Sequence, residues 1–168
     1  MHRPGHYGVA LLAYAPVGLL TLALGFNTVA VAGGVIVVGG AMLPDLDMRV
    51  PFITHRGPTH TVWFALVVGI VLGVAGALIG SDAGVAAALG LGVFGTVVGV
   101  LTVGAHLLAD ALTPMGVQPL APVRDVEYTL SVATASNLIA NYALLALGIL
   151  AAALAFVLGS AVTNAVSL

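Results

Sequence analysis

The chain has 168 residues, of which 61% are hydrophobic and 6% charged, with a formal charge of −2. A soluble domain carries roughly 25% charged residues, so this composition excludes a fully solvated surface, and the four arginines, with no lysine, offer no basic face for a nucleic-acid partner. Cysteine is absent, which removes disulfides and thiolate metal sites and leaves nitrogen and oxygen as the only metal donors.

Apolar runs of about 20 residues match the length needed to cross a hydrocarbon core of about 30 Å. They predict an all-α integral membrane bundle, one domain over 1–168, with about five transmembrane helices at 7–26, 28–43, 61–80, 84–107 and 138–158. The first run follows Arg3 and contains Ala13-Tyr14-Ala15, which resembles a leader cleavage site. The apolar stretch before it is short and Pro16 occupies the cleavage position, so the segment reads as a retained span. The second run is short and rich in glycine (Gly33, Gly34, Gly39, Gly40), which leaves a tilted or re-entrant segment open as an alternative.

Tight turns at Gly25-Phe26-Asn27 and Ser81-Asp82-Ala83 alternate with longer loops at 44–60 and 109–137. Alternation puts the N-terminus on the side of both long loops, together with Arg3, Arg49, Arg56 and Arg124. The positive-inside rule makes that side cytoplasmic in a multi-pass cell-membrane protein and the C-terminus external. Glycines four apart (Gly69 and Gly73, Gly76 and Gly80, Gly95 and Gly99) suit close helix packing in lipid. General glycine richness, with 22 in the chain, accounts for them equally well.

The same side collects the ionisable residues. His6 stands at the entrance to the first span. Pro44-Asp45-Leu46-Asp47 breaks the second helix and releases two carboxylates where hard or borderline cations can collect oxygen. His55-Arg56-Gly57-Pro58-Thr59-His60 folds two imidazoles around a Gly-Pro turn, with Arg56 placed either to hold an anionic substrate group or to neutralise neighbouring acids. His106 and Asp110, four apart on one helix face, can share a cation or simply hydrogen-bond to each other. Thr113-Pro114-Met115-Gly116 then ends that helix. Asp125 and Glu127 lie beyond it as supporting partners, a general base, or merely a solvated loop.

Taken singly these are ordinary features. Together, four histidines and three aspartates from four segments exceed the three protein ligands of one catalytic zinc and suit two ions bridged by a carboxylate. The expected metal ligands are His6, Asp45, His55, His60, His106 and Asp110. Asp47 is expected to bridge or to support from behind, and Asp47 and Arg56 carry the catalytic assignments.

Gly5-His6, P-D-L-D (Pro44 to Asp47), H-R-G-P-T-H (His55 to His60) and H-L-L-A-D-A-L-T-P-M-G-V (His106 to Val117), in this order, resemble the YdjM type of membrane-bound metal-dependent hydrolases over residues 5 to 122. A more distant similarity is to zinc-dependent phospholipase C and P1-type nucleases. The resemblance departs at Thr61 and Ala105, where the family tends to carry serine; Thr61 keeps a hydroxyl and Ala105 does not.

The resemblance implies hydrolysis by metal-activated water, with two divalent ions, zinc or alternatively manganese. The membrane-surface position points to a phosphoester or lipid head group as substrate and to membrane lipid as partner. The rival reading is a non-catalytic protein that senses or transports metal. Transporters place their ligands near the bilayer midplane, whereas the centres of these runs hold no ionisable residue.

Overall fold

The computed structural model describes residues 1–51 and 56–166. Five α-helices carry the fold: α1 (Arg3–Ala23), α2 (Asn27–Gly39), α3 (Val62–Gly80), α4 (Val85–Ala111) and α5 (Leu138–Val166). Short 3-10 turns occupy Pro44–Arg49, Pro58–His60 and Ser81–Ala83. Among the described residues there is no strand, only an isolated antiparallel bridge between Val117 and Tyr128.

Four helices, α1, α3, α4 and α5, are long and apolar enough to cross a membrane. The 13 residues of α2 reach only roughly 20 Å at 1.5 Å per residue, so the fifth expected span is a shorter apolar helix. The chain nonetheless returns to the end where α1 began, because the Pro44–Arg49 turn carries it onward to meet the start of α1 and the end of α4. The glycines of α2 have a packing reason. A Cβ on Gly33 would lie 2.5 Å from the Tyr14 hydroxyl and 2.6 Å from the Phe94 ring, and that hydroxyl donates 2.5 Å to the Ala30 carbonyl.

Boundaries move for local reasons. Proline in its first turn lets α1 begin at Arg3. At the other end of the hairpin, α4 continues four residues past Leu107, so Asp110 is helical. Its last carbonyls are capped by the loop that follows, with Leu130 donating to Ala111 and Val132 to Leu112. Thr61 caps α3, its hydroxyl accepting from the Phe64 amide at 3.3 Å. This gives the hydroxyl at position 61 a structural task. Ala105 packs in an apolar cluster with Ala41 and Ala109, where no hydroxyl is needed.

Two helix pairs form the body. Along the antiparallel pair α3–α4, a Cβ on Gly69, Gly73, Gly76, Gly80, Gly95 or Gly99 would meet atoms of the opposing helix, mostly backbone. All six glycines singled out by their spacing are therefore contact points, which decides for close packing over mere abundance. The pair α1–α5 is parallel: Gly5 lies by Asn141, Gly8 by Leu144, and Leu22 by Gly159. The N-terminus and the end of α5 consequently lie at opposite ends of the bundle.

Candidate metal centre

At one end of the bundle the start of α1, the turn after α2, the turn before α3 and the end of α4 converge. His6, Asp47, His60, His106 and Asp110 are all buried, and Asp45 is nearly so. Burying five such groups is costly without compensation, so their partners decide what the cluster is.

His6, His60 and His106 each have Nδ1 engaged by a group behind the ring. His106 Nδ1 lies 2.7 Å from the Ala41 carbonyl, and His6 Nδ1 lies 3.2 Å from the His2 carbonyl. A carbonyl can only accept, so both rings carry their proton on Nδ1. His60 Nδ1 is hydrogen-bonded to the Thr59 hydroxyl at 3.0 Å and faces Asp47 Oδ2 at 3.3 Å. The Asp47 oxygen also accepts from the Thr59 hydroxyl at 2.8 Å and the Arg56 amide at 3.1 Å. Asp47 thus stands behind His60, the arrangement in which a carboxylate orients a metal-binding imidazole.

With Nδ1 committed, all three Nε2 atoms turn inward. His60 and His106 Nε2 are 3.2 Å apart. Two neutral imidazoles do not rest lone pair to lone pair, so a proton or a cation belongs between them. Asp45 Oδ1 lies 3.3 Å from His60 Nε2 and 3.4 Å from His106 Nε2. Asp110 Oδ2 completes the group at 3.7 and 3.6 Å from the same two nitrogens. Bonds of about 2.0–2.1 Å from a tetrahedral zinc place its donors about 3.3 Å apart, so this donor set fits a divalent ion. Burial alone would raise the Asp45 carboxyl, but hydrogen bonds from His106 and His60 outweigh it and hold the group well below the usual carboxylate range.

A second group joins the first through Asp110. His6, His106 and Asp110 also bring one donor atom each within 4.8 Å of one another. His6 Nε2 is 3.5 Å from Asp110 Oδ1 and is buried without a hydrogen-bond partner. One imidazole nitrogen serves one ion, so His106 cannot belong to two at once. Asp110 turns one oxygen towards each group, whereas Asp47, expected either to bridge or to support from behind, stands behind His60. Asp110 Oδ1 already faces cations: Arg56 Nη2 at 3.2 Å and the Met1 amino group at 2.9 Å.

Arg56 spends its guanidinium here, because Nη1 also donates to the Gly116 carbonyl at 2.7 Å. Of the two roles open to it in the sequence, neutralising an acid is the one its contacts match. Its φ of +63° is a left-handed backbone uncommon for a residue bearing a Cβ. Such strain persists where surrounding bonds enforce it, as the Asp47 and Asp110 contacts do.

Residues 1–167 match the YdjM inner membrane protein family. The chain belongs to that family. No curated protein and no solved structure shows a significant match to it. As a YdjM-family protein it is a multi-pass membrane protein, and its buried His/Asp groups can hold a metal ion.

Among the expected residues, His6, Asp45, His60, His106 and Asp110 are brought together, with Asp47 and Arg56 adjoining. His55 lies outside the described residues. Asp125 and Glu127 are exposed in the loop after α4 and stay out of the cluster, and Asp82 is exposed at the far end. The sequence reading missed Asn141, which is fully buried. Its side chain accepts from the His2 amide at 3.0 Å and donates to the Ala135 and Asn137 carbonyls at 3.0 and 2.7 Å, tying the segment before His6 to α5. A lone asparagine at the start of a long apolar run was the available signal.

Proposed function

We propose that this YdjM-family protein is a membrane-bound, metal-dependent hydrolase acting on a phosphoester or lipid head group. One observation carries the reading: three imidazole Nε2 atoms, each with its Nδ1 engaged behind it, converge with Asp45 and Asp110 in a buried pocket at the bundle end. The primary ion, zinc or alternatively manganese, is held by Asp45, His60, His106 and Asp110. A second would be accommodated by His6 and Asp110 Oδ1 only if Arg56 and the Met1 amino group yielded their contacts there. When bound, such an ion supplies Lewis-acid activation of water and stabilises a leaving oxygen.

The chain's own groups do the positioning. Asp47 holds the His60 ring, and Arg56 balances Asp110 so that two buried carboxylates are tolerated side by side. The N-terminus and the site are assigned to the cytoplasm and the C-terminus to the outside, since Arg3, Arg49, Arg56 and Arg124 all belong to the segments at the site end. A sensing or transporting role is less well supported: His6 and His106 lie within about a turn and a half of their helix ends, not near the middle of a span.

Elemental analysis of the detergent-purified protein beside His106→Ala/Asp110→Ala tests the reading. Near-stoichiometric zinc or manganese, lost in the variant together with hydrolysis of p-nitrophenyl phosphate or short-chain phosphatidate, is expected. Absence of metal after zinc and manganese are added back would overturn it. Metal without hydrolysis of any phosphoester would leave only the sensing role.

A further inference from the structure

Beside the cluster lies a cavity of about 300 Å³ bordered by Arg3 at the start of α1, Tyr7 one turn later, and Arg49 at the end of the 3-10 turn. Asp45 borders it too, and of the described cluster residues it alone does so. The carboxylate that touches both His60 and His106 is therefore also a wall of this cavity. Through Asp45 the cluster adjoins this cavity.

The chemistry of the remaining walls is specific. Among the described residues, neither Arg3 nor Arg49 forms an ion pair, and both are exposed. Arginine at a membrane face commonly serves as an anchor, but here two guanidiniums border one small cavity with a single carboxylate, Asp45, which is already engaged with His60 and His106, so the cavity favours a further anion. Arginine's planar fork matches the oxygens of a phosphate, and the Tyr7 hydroxyl adds a neutral donor. Arg56 is unsuited to this part, being engaged with Asp110 and Gly116. Met42, Leu46 and Met48 form the apolar side of the cavity. Leu46 and Met48 are exposed at the end of the bundle, where an acyl chain or other apolar group could lie against them.

We propose that this cavity binds the phosphate of an amphiphilic phosphate ester through Arg3 and Arg49, with Tyr7 as a further donor, and sets the ester beside the metal cluster across Asp45. The assignment rests on the hydrolase reading and supplies its substrate class and its specificity-determining residues. Arg3 and Arg49 hold the phosphate, and the methionine and leucine side chains take the apolar part. A phosphate ester free in solution and a lipid head group present the same anion, and they differ in what they offer the apolar wall.

The test uses the full chain in detergent, zinc-loaded, with bound metal measured on every sample. Wild type and Arg3→Gln/Arg49→Gln are titrated calorimetrically with inorganic phosphate and with dihexanoyl phosphatidate. Loss of the two arginines is expected to weaken both ligands at least about tenfold with metal content unchanged. Arg3→Lys/Arg49→Lys should recover part of the affinity, which a merely structural role would not produce. Tighter binding of phosphatidate than of phosphate identifies a lipid source, and equal binding a phosphate ester in solution. Wild-type affinity for both ligands in the glutamine variant, or no binding to wild type, would overturn the proposal while leaving the metal reading standing. Arginine-dependent binding in a chain that takes up no metal would do the reverse.

Discussion

Replacing Asp47 by asparagine separates a residue that supports a metal ligand from one that is a ligand. In the native chain Asp47 Oδ2 accepts from Thr59 Oγ1 at 2.8 Å and the Arg56 amide at 3.1 Å and lies 3.3 Å from His60 Nδ1, which is itself hydrogen-bonded to Thr59 Oγ1 at 3.0 Å. Asparagine is nearly the same shape, but it has one accepting oxygen and an amide that meets these donors with hydrogens of its own. His60 loses the carboxylate charge behind its ring, and the ring becomes freer to turn. Losing such a support typically weakens metal affinity 10–100-fold, which is about 1.4–2.7 kcal/mol. Competition against a chelating dye in detergent measures this, with helix content by circular dichroism as the folding control. A change below about twofold would refute the orienting role. A loss as complete as that in His106→Ala would make Asp47 a direct donor and refute the assignment from the other side.

Two stability predictions follow from the packing. Gly95→Ala places a methyl on the Leu72 carbonyl across the α3–α4 contact and should lower stability by about 1–3 kcal/mol. Gly90→Ala, one turn away with nothing within 4 Å of the added carbon, should instead gain up to about 1 kcal/mol of helix propensity; thermal unfolding in one detergent compares the pair, and equal effects would remove the packing argument. Asn141→Leu strips three hydrogen bonds from a fully buried side chain and leaves their partners unpaired, with an expected cost of about 1–3 kcal/mol for each group left unsatisfied; an unchanged melting temperature would show that the contact between the N-terminal segment and α5 carries no stability.

Membrane helices are legible because lipid demands long apolar runs with internally paired backbones, and α3 begins and ends within a residue of its expected limits. The misjudged boundaries lie where other interactions take over from hydropathy. A proline in the first turn admits the start of α1, a folded loop caps the carbonyls of α4 beyond Leu107, and α2 is cut short before a proline turn. His106 and Asp110 were readable as a pair because helical periodicity alone puts them on one face. Asp45 was expected as a ligand and Asp47 as either bridge or support, and which of those two parts Asp47 takes depends on the twist of a 3-10 turn against α3 and α4. Arg56 was equally undecided until Gly116 and Asp110, 60 and 54 positions further on, were seen to take its guanidinium.

By itself the sequence determined that the chain lives in a membrane, that its ionisable residues gather at one end of its helices, and that any metal must be held by nitrogen and oxygen. Each of these follows from composition and local periodicity. Only the tertiary structure decided which atoms face one another: Nε2 of His60 against Nε2 of His106, Asp110 between His6 and both of them, and Arg3 and Arg49 bordering one cavity next to Asp45. Such contacts join segments tens of residues apart, and small shifts in helix packing make or break a donor set spaced for one ion. The α3–α4 glycines and the tie from Asn141 to the N-terminus set that packing, through contacts formed only once the helices meet.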